Sequence, residues 1–225
     1  MPPAVVVPTF NEAENIGPLI VAIRTHLPDA HILVVDDASP DGTAERAEAA
    51  GATVLRRVGT RGLGPAYRDG FARVLAEGWD PILQMDADLS HDPADLPRLL
   101  HALAAADLVL GSRWTEGGGT VAWGLGRRTL SRFGSAYARG WLGLPQQDLT
   151  GGFKAWRAAT LAAVGPATLH ADGYAFQVEA TWRAHTLGAR IVEVPIVFTE
   201  RRAGASKMSG RIAIEAAWRV PGLLR

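Results

Sequence analysis

Residues 31–43 read HILVVDDASPDGT, a stretch in which an apolar run changes abruptly into a polar turn. The run His31–Val35 has the β-branched character of a buried strand, and a helical pattern begins at Thr43. Apolar runs recur along the first half of the chain, at residues 4–7, 53–55, 81–85 and 108–110. Continuous apolar strands between helices predict an α/β fold, with a mostly parallel central sheet and helices on both faces.

The composition is that of an ordinary folded protein. Its 225 residues predict a single domain over residues 1–225. Lys plus Arg and Asp plus Glu both number 23, so the charge balance gives no reason to expect a nucleic-acid partner. The absence of cysteine excludes disulfides and thiolate metal sites. The N-terminus does not read as a signal peptide, and no run approaches the roughly 20 apolar residues that span a bilayer.

Acidic and polar residues follow three of the predicted strands, and ligands of open α/β sheets bind at such strand ends. Asp86 and Asp88 have a spacing that could hold a divalent cation bridging a diphosphate. Asp37 could accept hydrogen bonds from a ribose or base, and Phe10 could offer a ring face. The alternative is that Asp86 or Asp88 caps a helix and that the aspartates after the second strand, Asp36 and Asp41, shape a turn.

Other known site patterns do not occur. The chain has no G-x-G-x-x-G after its first strand, no phosphate-binding G-x-x-x-x-G-K-[ST] loop and no G-x-S-x-G elbow. No H-E-x-x-H pattern occurs among the six histidines. His91 follows the Asp pair, and we predict a solvated or capping role for it rather than a metal ligand.

Basic residues of the second half form the complement to these carboxylates. Arg113 follows the fifth strand, and Arg127 shares a helix face with Ser131 at i, i+4. Further cations lie beside glycines or strand ends, at Arg128, Arg132, Arg201, Arg202 and Lys207. Such positions commonly hold phosphates, so the set indicates an anionic acceptor beside a diphosphate donor. The alternative for any one of them is a solvated surface charge.

The motifs in order resemble those of family 2 glycosyltransferases, and the closer match is to polyprenol (dolichol) phosphate mannose synthases. The resemblance is carried by stretches spread over nearly the whole chain: residues 7–12, 35–43, 61–67, 85–91, 111–114, 123–132, 148–153, 173–179, 193–198 and 201–208. It implies a GT-A fold and an inverting transfer of mannose from GDP-mannose to a polyprenyl phosphate.

The resemblance also implies roles for individual residues. Nucleotide contacts would come from Pro8, Phe10, Glu12, Val35 and Asp37. Asp86, Ala87 and Asp88 would contact the diphosphate and an Mg²⁺ or Mn²⁺ ion. Ser90 stands where relatives often carry a glutamine as third metal ligand, so either Ser90 or water would complete the ligand set. Arg113, Arg127 and Ser131 would meet the acceptor phosphate, and Arg201 and Lys207 would close over the donor. Phe10 stands where tyrosine is frequent, so the ring is kept without its hydroxyl.

An acceptor of this kind explains why no general base is evident. A phosphate monoester has a second pKa of about 6, so it is already anionic at neutral pH and can attack directly. UDP-glucose or another UDP-sugar stays open as the donor, and so does a protein that binds a nucleotide sugar without turnover. A glycosidase is disfavoured, because its carboxylate pair would not need the cations.

A polyprenyl chain does not leave the bilayer readily, so we expect peripheral contact with the cytoplasmic face of a membrane. Amphipathic patterns at Arg127–Leu142 and Ile212–Arg225 could make that contact, or their apolar stripes could pack on the core. A separate membrane-anchoring protein is a possible further partner. The glycine-rich stretch Trp114–Gly126 is expected to be mobile without ligand and to order over a substrate.

Overall fold

The computed structural model of the protein describes residues 1–200, 220 and 222. The strands are β1 (Ala4–Thr9), β2 (His31–Asp36), β3 (Thr53–Arg56), β4 (Ile82–Gln84), β5 (Leu108–Ser112), β6 (Gly119–Val121), β7 (Lys154–Trp156), β8 (Ile191–Pro195) and β9 (Val197–Thr199). The helices are α1 (Ile16–His26), α2 (Thr43–Ala49), α3 (Leu63–Ala76), α4 (Leu96–Leu103), α5 (Leu125–Leu142), α6 (Ala158–Val164) and α7 (Gly173–Thr186), with short 3₁₀ turns at Pro93–Asp95 and Pro166–Thr168.

Seven strands form the central sheet, in the order β3-β2-β1-β4-β7-β5-β8. β1 pairs in parallel with both β2 and β4, so that Val5 lies between Ile32 and Leu83. Only β7 runs antiparallel among these seven, between β4 and β5. A separate parallel pair joins β6 to β9, with Thr120 opposite Phe198. The predicted mostly parallel sheet is confirmed.

Helices cover both faces of the sheet. On β1, successive side chains point to opposite faces, and Val5 packs with α1 and α4 while Val6 packs with α3 and α7. Helix α3 lies very close to the sheet, because a Cβ added at Gly70 would be 2.7 Å from Val6 and 2.8 Å from Val35. This contact places the N-terminus of α3 beside the ends of β1 and β2.

Several predicted boundaries were wrong. Asn11, with Glu14 three residues on, has the spacing of a helix cap, but helix α1 begins at Ile16 and Asn11 has a left-handed backbone with φ of 56°. The sequence Ile191–Val197 reads as one strand, but the structure has two, because the chain leaves the central sheet after Pro195 and β9 pairs with β6. Strands β6 and β7, of three residues each, and helix α6, of seven, were not predicted.

Some predicted features fall outside the described residues. These are the cations Arg201, Arg202 and Lys207 and nearly all of the proposed helix Ile212–Arg225. Within the part of the chain that the structure describes, no helix is both long and apolar enough to cross a bilayer.

Candidate active site

Three loops meet at one edge of the sheet, because β2, β1 and β4 are adjacent and parallel. The backbone N–H of Asp37 donates to the carbonyl of Thr9 at 3.0 Å, which joins the first two loops. Each loop also holds a non-glycine residue in the left-handed region: Asn11 (56°), Ala38 (54°) and Leu89 (60°). Such conformations are costly and cluster at functional sites, so this edge is the leading candidate for the active site.

Two of the aspartates shape the loops rather than face a ligand. Asp36 accepts hydrogen bonds from the Thr9 hydroxyl at 3.0 Å and from the Ser39 hydroxyl at 2.6 Å. Asp41 accepts from the backbone N–H of Ala13 at 3.1 Å and from the Thr43 hydroxyl at 2.6 Å. For Asp36 and Asp41 the turn-forming alternative is therefore correct.

Asp37 occupies a different position, facing the start of α3. It forms an ion pair with Arg57, and its other oxygen accepts the backbone N–H of Gly62 at 2.8 Å. The guanidinium of Arg61 lies 4.3 Å from the centre of the Phe10 ring. Arg57 was not predicted as part of this site, because its pairing with Asp37 depends on how β3 lies beside β2.

The other expected nucleotide contacts lie on the same edge. Glu12 is nearly buried, and its carboxylate accepts a hydrogen bond from the Asn15 amide at 2.8 Å. Pro8 and Val35 are register partners on β1 and β2. The Val35 side chain is fully buried against α3, so only its backbone can reach a nucleotide.

The Asp pair follows β4 directly. Asp86 is about one-third exposed (33% of its side chain), whereas Asp88 is buried (7%) and its Oδ1 accepts the backbone N–H of Ser90 at 3.1 Å. Ala87 and Ser90 are buried too. No group of three or more His, Cys, Asp or Glu side chains that could hold a metal occurs among the described residues.

This donor set fits a hard divalent ion. Mg²⁺ is commonly bound by one or two carboxylates together with substrate phosphates and water, and Asp86 and Asp88 supply that number of carboxylates. Asp86 is open enough to meet a diphosphate, while Asp88 is fixed from below by the turn. A direct bond from the Ser90 hydroxyl to the ion stays a prediction.

His91 is not solvated, so that part of its prediction was wrong. Its ring is 1% exposed and stacks on Phe153 at 4.8 Å between ring centres, with Phe198 edge-on at 5.0 Å. Burial lowers the pKa of His91 to about 4. The backbone N–H of Asp86 donates to His91 Nδ1 at 3.3 Å, which is a capping role within the turn. The aromatic partners are distant in sequence, so local pattern did not reveal them.

Arg113, at the end of β5, is buried and already paired. Its Nε and Nη2 each donate to Asp148 at 2.7 Å, and Nη2 also donates to Thr150 at 3.0 Å. Three aromatic rings surround the guanidinium, with their centres 5.4 to 5.5 Å from Cζ: those of Trp114, Trp123 and Phe198. Any contact of this arginine with an acceptor phosphate is therefore made from a fixed position.

Arg127 lies in the first turn of α5, over the ring of Trp123 at 4.1 Å. Its Nη1 donates to Glu200 at 2.7 Å. The Nε of Arg127 and the Nε1 of Trp123 are buried N–H donors with no hydrogen-bond partner among the described residues. Ser131 is partly buried one helical turn later. Neighbouring donors without partners are the arrangement that an anion would complete.

Aromatic contacts join the two sides of the site. His91, beside Asp86, touches Phe198, whose ring meets Trp123 at 5.1 Å. The guanidinium of Arg127 in turn lies over the ring of Trp123. The carboxylate side and the cation side of the site are therefore only a few ring contacts apart.

A sequence profile described as Glycosyl transferase family 2 matches residues 4–165, well over half of the chain. The chain belongs to this family of glycosyltransferases. The undecaprenyl-phosphate mannosyltransferase of Micrococcus luteus is 48% identical over 216 residues, covering 94% of this chain and 89% of that protein. The polyprenol monophosphomannose synthase of Mycolicibacterium smegmatis is 44% identical over 223 residues, covering 96% and 84%.

Solved structures with the same fold include a mycobacterial protein, at 25% identity and a TM-score of 0.74, covering 98% of this chain and 74% of that one. Another is glucosyl-3-phosphoglycerate synthase from Mycobacterium tuberculosis, in complex with Mn²⁺, UDP and glucosyl-3-phosphoglycerate. It is 24% identical with a TM-score of 0.74, covering 98% and 80%. The predicted GT-A fold and the resemblance to polyprenol phosphate mannose synthases are confirmed.

The glycosyltransferase exposes an apolar row on α5. The rings of Phe133, Tyr137 and Trp141 follow one another at i, i+4 and i+8, with centres 6.3 and 6.4 Å apart. Phe133 is 66% and Trp141 51% exposed, while Ala138 and Leu142 on the other side of the helix are buried. Beside the row lies a cavity of about 390 Å³, lined by Trp114, Thr129, Arg132, Phe133, Ala136, Arg139 and Gln147.

The glycine-rich stretch Trp114–Gly126 is partly built into the fold of this glycosyltransferase. A Cβ added at Gly118 would lie 2.6 Å from the carbonyl of Ser112, and Gly119–Val121 pairs with β9. The prediction that the stretch orders on ligand binding is not tested by this arrangement and stays a prediction.

Gly152 allows a first prediction for the metal site. A Cβ added there would lie 2.9 Å from Asp86 Oδ1, so alanine must displace the carboxylate. We expect Gly152→Ala to weaken Mn²⁺ activation of the transferase about tenfold or more, as when a ligand's supporting contacts are altered. The measurement is transfer rate against Mn²⁺ concentration. Gly17→Ala is the control, because a Cβ there meets nothing within 4 Å; equal activation curves for both variants would contradict the prediction.

Proposed function

We propose that this glycosyltransferase moves mannose from GDP-mannose to a polyprenyl phosphate with inversion at the anomeric carbon. The observation that carries the proposal is one site with two carboxylates on its donor side and buried N–H donors without described partners on the other. The names of the Micrococcus luteus and Mycolicibacterium smegmatis relatives support mannose and a polyprenyl phosphate as substrates.

In the proposed reaction the carboxylates act at the donor and the arginines act at the acceptor. Asp86 and Asp88 hold a divalent ion, which supplies charge neutralisation on the leaving diphosphate when it is bound. Arg127 and Ser131 orient the acceptor phosphate, and Arg113 contributes from its fixed place beside Asp148. The phosphate oxygen is anionic at neutral pH, so it attacks the anomeric carbon without giving up a proton to a base. Alignment and charge balance are the remaining requirements.

The nucleotide lies over the loops after β1 and β2 in this proposal. Phe10 and Arg61 offer a stacked pair at the sheet edge. Asp37, Glu12, Pro8 and the backbone of Val35 complete the contacts, with Asp37 accepting from ribose or base. Ala87 adds its backbone beside the diphosphate, and Arg201 and Lys207, outside the described residues, close over the donor.

The experiment that tests the proposal offers two labelled donors separately, GDP-mannose and UDP-glucose, with polyprenyl phosphate and Mg²⁺. The label that enters the lipid phase identifies the donor, and we expect mannose. Glucose in the lipid phase would favour the UDP-sugar alternative, which gains some support from the UDP that glucosyl-3-phosphoglycerate synthase binds. Label that binds the protein without reaching the lipid would indicate a nucleotide-sugar-binding protein.

The acceptor chain requires a membrane surface, and we infer peripheral contact through α5, at the cytoplasmic face. Phe133 and Trp141 are apolar and exposed, with the half-buried ring of Tyr137 between them, and arginines on the same helix suit anionic lipid heads. A separate anchoring protein remains part of the proposal, as does a contribution from Ile212–Arg225, nearly all of which lies outside the described residues.

We predict that Trp141→Glu lowers liposome binding about tenfold or more, because it replaces an aromatic side chain at the interface with a charge. The measurement is flotation with vesicles that contain an anionic lipid. Val21→Glu is the matched control, since Val21 is 63% exposed on α1. If both variants float as well as the unaltered protein, α5 does not contact the membrane; Trp218→Glu then tests the C-terminal segment.

A further inference from the structure

The turn after β4 folds back on itself, so that His91 lies beneath Asp86. His91 Nδ1 accepts the backbone N–H of Asp86 at 3.3 Å and lies 3.9 Å from the Asp86 carboxylate. A nitrogen that accepts this bond carries no proton, so the ring is neutral with its hydrogen on Nε2. The ring is 1% exposed, whereas the Asp86 side chain above it is open to the site.

The ring of His91 is held between Phe153, which directly precedes β7, and Phe198 of β9. Phe153 stacks on it with an angle of 14° between the rings, immediately after Gly152, where an added Cβ would lie 2.9 Å from Asp86 Oδ1. Phe198 of β9 meets it edge-on, and the next residue, Thr199, donates its backbone N–H to the Ser90 carbonyl at 3.1 Å. His91 therefore cannot move without disturbing the packing of both strands.

We propose that His91 is a positioning residue for the metal site: its Nδ1 holds the backbone of Asp86 so that the carboxylate faces the diphosphate. The proposal rests on the proposed use of a divalent ion by Asp86 and Asp88. Groups that orient metal ligands in this way commonly change metal affinity about 10- to 100-fold when they are removed. The role needs both an acceptor at this position and a ring between two phenylalanines, and the two can be separated by mutation.

Three variants separate them. His91→Phe keeps a ring between Phe153 and Phe198 and removes the acceptor. His91→Asn keeps an acceptor near the place of Nδ1 and loses the ring, and His91→Gln loses the ring but carries its acceptor one bond farther out. Two quantities are measured on each purified variant: the melting temperature without metal, and the Mn²⁺ dissociation constant from the electron paramagnetic resonance signal of free Mn²⁺, with GDP and with UDP.

We expect metal affinity to follow the acceptor and thermal stability to follow the ring. His91→Phe should melt near the unaltered protein and bind Mn²⁺ about 10- to 100-fold more weakly. His91→Asn and His91→Gln should both melt at a lower temperature than the unaltered protein, and at about the same temperature as each other. The asparagine variant should bind Mn²⁺ about tenfold more tightly than the glutamine variant. This last pair keeps the test decisive even if His91→Phe does not fold.

Unchanged Mn²⁺ affinity in His91→Phe, or equal affinities in the asparagine and glutamine variants, would overturn the proposal. It would also fall if the unaltered protein bound no Mn²⁺ with either nucleotide. Failure of the proposed function is distinguishable: a protein that binds Mn²⁺ as expected in all variants but transfers no mannose keeps the role of His91 and loses only the substrate assignment.

Discussion

Replacing Asp88 with alanine is expected to lower the transfer rate by about three orders of magnitude, because a bound metal contributes several kcal/mol to charge stabilisation in such reactions. The buried carboxylate of Asp88 faces the turn through the N–H of Ser90, at 3.1 Å. Alanine removes the proposed metal ligand and one turn hydrogen bond while leaving the strands intact. The measurement is single-turnover transfer at saturating donor and acceptor, with a melting curve for each variant.

Two comparisons make the Asp88 result specific. Asp92→Ala removes a carboxylate four residues away whose one hydrogen bond within the described part of the chain is from the N–H of Ala94 in a 3₁₀ turn, and its transfer rate should stay near normal. Excess EDTA should reduce the unaltered protein to the level of Asp88→Ala. Full transfer in EDTA, or equal losses in Asp88→Ala and Asp92→Ala, would show that the Asp pair does not act through a metal.

The parallel part of the sheet was predictable because its strands are buried on both faces and therefore read as unbroken apolar runs. Strand β7 breaks that rule. It is three residues long and begins with Lys154, a residue type that normally indicates the surface. Here its Nζ donates to the Gln177 carbonyl and the Thr181 hydroxyl, both at 2.9 Å, and burial lowers the pKa of Lys154 to about 7. Its partners belong to α7, which no local pattern links to β7.

The candidate site was predictable to the extent that topology alone decides it. Parallel neighbours end at the same edge, so loops after β1, β2 and β4 had to meet if those strands were adjacent. The sequence could not assign partners to each aspartate. Asp36 forms hydrogen bonds within its own loop, while Asp37 pairs with Arg57, which directly follows β3. Those distinctions depend on strand register and rotamers, which the order of residue types does not determine.

The sequence could not reveal the position of Asp148 either. An aspartate normally lies at the surface, but this one is the buried partner of Arg113. Its side chain is fully buried (0% exposed) and that of Arg113 is 5% exposed. Burial by itself would raise the pKa of Asp148, but the charge and hydrogen bonds of Arg113 outweigh it and hold the pKa below its usual value. The pair therefore contributes stability above the unfolded pKa of Asp148, and that contribution is lost as the pH falls through the folded pKa.

Removing one member of this pair is expected to destabilise the fold strongly. Asp148→Ala leaves the Arg113 guanidinium buried without its counter-charge, which costs about 3 to 5 kcal/mol in comparable pairs and, in a chain of this size, about 10 °C in melting temperature. The double variant Asp148→Leu with Arg113→Met buries no charge and should recover much of that loss. Denaturant unfolding of the single and double variants measures the difference. If the double variant were as unstable as Asp148→Ala, packing of the two side chains would be responsible instead of the unpaired charge. Mannose transfer by a stable double variant would then show whether Arg113 is needed at the acceptor phosphate or only in the fold.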